Sequence, residues 1–292
     1  MSNIKRTIYN IFYPFSRNSN NSKLEESFTM PDRPVYGFYH IFAFNNWKEI
    51  VDEQFSCIKQ SGLYDLVDTL YISLISKSIE PDIEYIKTKW GGNLDVIYTG
   101  NEPTAYEFPA LEHLYTKSAH DDFYCFYFHT KGSSNSAKTF DWYKDRIKTL
   151  EQLIAISSEW RKFMNYHNFT KYKLAIAALE NKYISYGADY QTHPSKQHYY
   201  AGNFWWSSSE HIRTRPVFSS DDKKWRFNAE TWLLKDVHTG FYDAFRMNID
   251  LGAVKMVPEV YTSTGIIKSI GTLKLWLRHM RFSLKKVSSR IK

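Results

Sequence analysis

Four residues at the end of an aromatic run hold the first chemistry in this chain. Phe126-Tyr-Phe-His129-Thr130-Lys131-Gly132 reads as a buried strand that breaks off into a histidine, a lysine and a glycine. In α/β proteins ligands bind outside the carboxyl ends of the strands. A phosphate or diphosphate there needs positive charge and free backbone N–H groups. Lys131 supplies a point charge, His129 a second potential cation or donor, and Gly132 a backbone free to turn, with Ser133, Ser134 and Ser136 following as a loop. The alternative for the lysine is a solvated loop side chain.

Two further segments bear chemistry. Tyr200-Ala-Gly-Asn203-Phe-Trp205-Trp206 combines small residues, an amide able to donate and accept, and two adjacent indoles. Along a strand, alternation puts only one of the two tryptophans on a core face. The other then faces either a ligand or a second packed layer. Arg226-Phe-Asn-Ala-Glu230-Thr-Trp232 sets Glu230 in the first turn of a predicted helix capped by Asn228. An acid there either compensates the helix dipole or serves as a general base aimed into a cleft.

The elements that must position these residues alternate. Strands are expected at Val35–Phe42, Leu70–Ile75, Leu94–Tyr98 and Phe123–Phe128, with helices at Trp47–Gly62, Pro81–Trp90 and Tyr106–Lys117 between them. That order predicts an α/β fold with a mainly parallel sheet and helices on its faces. Beyond it the patterns predict a long helix over Asp141–Met164, strands at Lys173–Ala177 and Gly252–Val257, an extended Tyr199–Trp206, a helical turn at Ser207–Arg213 and a helix over Asn228–His238. Residues 1–34 read as an N-terminal extension, helical around Ile4, Ile8, Ile11 and Phe15 and loose from Ser16 to Ser22; residues 35–260 form one domain, and 261–292 a tail.

Composition narrows the classes. The 292 residues suffice for a substantial core, and the two cysteines, Cys57 and Cys125, read as small core residues in a reducing, cytosolic compartment. No apolar run has transmembrane length, and the N-terminus lacks the apolar stretch of a secretory signal. Aromatics make up 17% of the chain. An AT-rich coding sequence would enrich Phe and Tyr but not Trp, whereas aromatic faces also suit nucleotide bases and sugar rings. The net charge of +7 is concentrated: the eight Lys and Arg after Glu259 leave 7 − 8 = −1 for residues 1–259. A near-neutral body argues against a nucleic-acid partner. Walker, dinucleotide-binding, zinc-protease and nucleophile-elbow motifs are all absent from the sequence. Asp121-Asp122 precede the fourth strand of the alternating series and read as a surface turn.

The order of elements resembles the glycosyltransferase-A type fold, a single Rossmann-like domain. The HTKG segment, the YAGNFWW segment and the A-E-x-W helix look like those of a group of bacterial and large-virus glycosyltransferases that build surface polysaccharides such as O-antigen or capsule. The resemblance spans roughly residues 35–260. It implies transfer of a sugar from a nucleotide-sugar to a glycan acceptor, with inversion. It further implies a donor base near His40, Ala43 and Phe44, a diphosphate at His129, Lys131 and Gly132, Glu230 as the base, and Asn203, Trp205 and Trp206 at the acceptor. Most members of the fold keep a metal-binding Asp-x-Asp where this chain has His129-Thr130-Lys131. The expectation is therefore that cations replace the metal, with dependence on manganese or magnesium left open.

The tail has the cleanest periodicity. Ile266, Ile270, Leu273, Leu277, Met280, Leu284, Val287 and Ile291 form an apolar stripe, with Lys274, Arg278, Arg281 and Lys285 one position later. Such a helix suits the inner face of a membrane, with residues 266–291 lying in the interface; its 3.5-residue period equally suits a coiled coil or packing on the body. The competing readings for the whole chain are a non-catalytic membrane or nucleic-acid binding protein and a nucleotidyltransferase of similar topology.

Overall fold

The structure, a computed structural model, describes residues 14–192 and 197–291, with side chains described as far as Ser283. Of the helix expected around Ile4, Ile8, Ile11 and Phe15, the three isoleucines lie outside them, and Phe15 begins a strand instead.

The chain opens with β1 (Phe15–Arg17) and α1 (Asn21–Glu26), then alternates through β2 (Val35–Phe42), α2 (Trp47–Ser61), β3 (Thr69–Ile75), α3 (Ile79–Trp90), β4 (Leu94–Gly100), α4 (Phe108–Ser118) and β5 (Tyr124–His129). The short α5 (Ala137–Phe140), α6 (Leu150–Asn165) and α7 (Tyr172–Glu180) follow. Next come β6 (Ser185–Gly187), β7 (Tyr190–Thr192), β8 (His198–Tyr200), β9 (Trp205–Ser208), α8 (Ser209–Arg213) and α9 (Phe227–Thr231). β10 (Phe241–Asp243), β11 (Phe245–Met247), α10 (Glu259–Thr262) and α11 (Gly265–Ile291) complete the chain.

Seven strands form one sheet in the order β10-β6-β9-β5-β2-β3-β4. β5, β2, β3 and β4 run parallel, β6 and β10 are parallel to each other, and β9 is antiparallel to both of its neighbours. This is a Rossmann-like α/β domain with a mainly parallel mixed sheet. Both faces are covered, so alternate residues of one strand feed two cores. Tyr39, Ile41, Phe126, Phe128 and Trp206 lie in one; Phe38, Tyr71, Tyr127 and Trp205 lie in the other with Phe108 and Leu111 of α4. Parallel strands covered on both faces are apolar throughout, which is why they stand out in the sequence.

Several expectations fail. The helix predicted over Asn228–His238 ends at Thr231, followed by one 3₁₀ turn over Trp232–Leu234. Residues 173–177 lie inside α7, where nearly every side chain is buried; a short apolar run has no period to distinguish helix from strand. Residues 252–257 form no strand. Asp250 takes the amides of Ala253 and Val254 on its carbonyl and that of Gly252 on its carboxylate, which curls the chain into a turn. The predicted Asp141–Met164 helix begins only at Leu150, capped by the Thr149 hydroxyl. The segment expected to be loose from Ser16 to Ser22 is built into the body: β1 pairs antiparallel with β11, and Asn21 donates to the Ala244 carbonyl at 2.9 Å. Partners more than 200 residues away leave no mark on the local sequence.

Candidate active site

His129 ends β5, and its register partner His40 stands near the end of the adjacent β2. Both side chains are buried on the α4 side of the sheet. The His129 Nε2 donates to the Gly202 carbonyl at 2.9 Å. The His40 Nδ1 lies 3.3 Å from the Ser73 hydroxyl. Burial drives both imidazoles to release their protons, with pKa values lowered to about 3 for His40 and about 4 for His129. The expectation that His129 adds positive charge is therefore corrected: at neutral pH it is an uncharged hydrogen-bonding group.

The residue that joins these elements is Glu107, which no motif had marked. It precedes α4, whose first turn is announced by Pro109. Its carboxylate accepts from the Asn203 amide at 2.9 Å and lies 3.7 Å from His129 Nδ1 and 3.9 Å from the Arg226 guanidinium. Burial alone would push this carboxyl up, but His129, Arg226 and His40, with the Asn203 hydrogen bond, together hold it below the usual range. Arg226 also reaches Glu230 at 3.9 Å, one turn along α9. Burial and the nearby Glu107 charge raise the Glu230 carboxyl, against the pull of Arg226 and Lys131.

Exposure sorts these groups. The Glu107 side chain is only 4% exposed, whereas those of Glu230 and Arg226 are 23% and 44% exposed. Only the latter two can meet a solute directly; Glu107 stands behind them. Asn228, expected to cap the helix, lies inside α9 and donates to the Asp222 carbonyl instead.

Lys131 follows β5 with its ammonium 3.9 Å from the centroid of the Trp160 ring, a cation–π contact. Burial lowers its pKa to about 8, opposed by the charge of Glu230 and assisted by that of Arg226. It remains cationic at neutral pH. The loop around it is fixed from three sides. The Phe42 N–H donates to the Thr130 hydroxyl at 2.9 Å, Arg161 of α6 donates to the Lys131 carbonyl at 2.9 Å, and the Asn45 amide reaches the carbonyls of Ser133 and Asn135. Gly132 has φ +97°, and a Cβ there would stand 3.3 Å from the Arg161 guanidinium. Arg161 itself is held by both oxygens of Glu53 at 2.9 and 2.8 Å.

The aromatic segment behaves otherwise than expected. Trp205 stacks on Tyr127 at 5.1 Å and Trp206 on Phe126 at 4.9 Å, each fully buried on opposite faces of the sheet. The second packed layer decides the matter, and neither indole is open to an acceptor. Asn203 is buried too, at φ +58°, bridging Glu107 and the Trp205 N–H. Gly202 makes room for α6 rather than for a ligand: a Cβ there would fall 2.1 Å from the Met164 sulfur.

Beyond the end of β2, Ala43 donates its N–H to the Ile75 carbonyl, and Phe44 stacks on Phe42 at 4.2 Å with the Lys77 ammonium 5.7 Å from its ring. Both phenyl rings are half-buried, which makes an aromatic ledge at the strand end. Two polar groups near the charged cluster, the Tyr127 hydroxyl and the Trp160 N–H, are buried without a hydrogen-bond partner. The Tyr127 hydroxyl feels the charges of Glu107, Arg226 and Glu230.

The cluster thus holds two cations and two carboxylates at the carboxyl edge of parallel strands. Among the described residues no group of three or more His, Cys, Asp and Glu side chains is arranged to hold a metal ion.

No family model and no curated protein matches the chain. Among solved structures, 4-diphosphocytidyl-2C-methyl-D-erythritol synthase from Anaerococcus prevotii DSM 20548 aligns over 83% of this chain and 98% of its own, at 10% identity and a TM-score of 0.34. A likeness that distant carries no argument about activity.

Proposed function

We propose that this chain is a glycosyltransferase that moves a sugar from a nucleotide-sugar to a hydroxyl of a glycan acceptor, of the kind assembled into surface polysaccharide. One observation supports this above the rest. Lys131, Arg226 and Glu230, from two separate segments, share one electrostatic cluster at the carboxyl edge of the sheet, with Arg226 exposed and Glu230 partly exposed.

In this reading Glu230 takes the proton of the acceptor hydroxyl, and its raised affinity for protons suits it to that task. The acceptor oxygen bonds to the anomeric carbon from the face opposite the phosphate, inverting it. The bond from that carbon to the diphosphate oxygen breaks, and the electron pair leaves with the nucleoside diphosphate. Lys131 and Arg226 stabilise the charge that develops there. Glu107 orients Arg226, and Asn203 holds Glu107. The ledge of Phe42 and Phe44 offers a stacking surface for the donor base.

A panel of nucleotide-sugars assayed for nucleoside diphosphate release, with and without excess EDTA, tests the reading. Release that persists in EDTA and disappears in Glu230→Gln supports it. Pyrophosphate release from a nucleoside triphosphate and a sugar phosphate would instead assign nucleotidyl transfer. Activity lost in EDTA and restored by manganese would refute the role of the cations as the metal's replacement.

A further inference from the structure

The apolar stripe of α11 points away from the protein. The helix meets the body through Gly271, Leu275 and His279, all buried. Gly271 allows a close approach: a Cβ there would stand 2.8 Å from that of Glu259. Leu275 joins the main core, and Arg278 donates to the carbonyls of Lys255 and Met256 at 2.9 Å each. At ~100° per residue, Leu275 lies roughly 160° around the helix from both Leu273 and Leu277. The result inverts the usual arrangement, in which the apolar stripe of a surface helix faces the core. Ile266, Ile267, Ile270, Leu273 and Leu277 are 42–79% exposed.

Charge indicates what covers them. Lys274 and Arg281 are exposed along one edge of the stripe. The sequence after Glu259 holds no acidic residue among its eight Lys and Arg. A protein partner would have to be both apolar and acidic along this face, whereas an anionic bilayer is both by construction. No described helix is long and apolar enough to cross a membrane, so the geometry is that of a helix lying in the interface.

We infer that α11 docks the protein on an anionic lipid surface, with Ile266, Ile270, Leu273 and Leu277 entering the acyl boundary and Lys274 and Arg281 at the headgroups. This does not depend on what the site transfers.

Co-sedimentation of the full chain with vesicles tests it, using phosphatidylcholine alone and phosphatidylcholine mixed with phosphatidylglycerol. Binding is expected to the mixed vesicles, and to weaken with salt. The double variants Ile270→Glu with Leu273→Glu, and Lys274→Gln with Arg281→Gln, should each bind about tenfold more weakly or worse. Their melting temperatures should stay close to the parent's, since all four side chains are exposed and the 3.5 Å ion pair of Lys274 with Glu259 lies at the surface, where such pairs contribute little. Failure to bind the mixed vesicles would overturn the inference. So would equal binding to both vesicle types, or a dimer in sedimentation equilibrium that the apolar double variant abolishes, which would assign the stripe to a second copy of the chain.

Discussion

The front and back of the charged cluster are built from the same kinds of side chain and behave oppositely. At the back, His40, His129, Glu107 and Asn203 are sealed between the sheet and α4, and each polar atom that matters is held by a protein group. At the front, Lys131, Arg226 and Glu230 keep their charge or their proton within reach of solvent or a ligand. Access to water separates the two sides. A sealed imidazole gives up its proton because nothing solvates the cation. Burial lowers the Lys131 ammonium too, to about 8, but an ammonium starts so far above an imidazole that it stays charged at neutral pH.

Substitutions on the two sides should therefore fail in different ways. The largest effect belongs to Glu230→Gln, which should lower turnover by about 10²–10⁴-fold while leaving nucleotide binding, measured by calorimetry, nearly intact. Equal losses in binding and turnover would place Glu230 with the structural groups. Lys131→Ala should cost about 10²–10³-fold in turnover and weaken nucleoside diphosphate binding. The pH profile of kcat/KM sharpens this point. It should rise as Glu230 loses its proton and fall through about pH 8 as Lys131 loses its own. Lys131→Arg should move the falling limb to higher pH, because a guanidinium stays charged there.

Glu107→Ala tests the back. It leaves the buried Asn203 amide without an acceptor and should destabilise the fold by about 2–3 kcal/mol in urea denaturation. A variant with unchanged stability but lost turnover would move Glu107 to the front. A further effect, read from pH rather than from a substitution, is spread over four histidines. His40 and His167 resist protonation down to about pH 3, and His129 and His211 down to about pH 4. The unfolded chain takes up protons on these rings below about pH 6.5, while the folded chain does not. Stability should thus fall as pH drops from about 6.5 towards 4, by at most about 1.4 kcal/mol per pH unit for each ring. A midpoint that stays constant over that window would show that the rings are solvated.

Legibility followed the range of the forces involved. Val35–Phe42 was readable to the residue because a strand covered on both faces is mostly apolar, His40 being the exception. Lys131 and Glu230 were readable as candidates because each sits at the end of a local pattern. Glu107 was not, since an acid before a proline-started helix is ordinary dipole compensation wherever that helix lies. Arg226 stood in a segment already singled out, yet its role depends on a carboxylate 119 positions earlier in the numbering. Trp205 and Trp206 were misassigned because alternation describes one strand, whereas burial depends on what covers both faces of the sheet.

By itself the sequence determined the alternating α/β order, the strand end at His129 and the periodicity of the tail, all set by neighbours within a few residues. Tertiary structure alone decided that His129 is neutral, that Glu107 is the hub behind Arg226 and that the stripe of α11 faces outward. Those outcomes depend on desolvation and on partners brought together from distant segments, and both arise only when the chain has closed on itself.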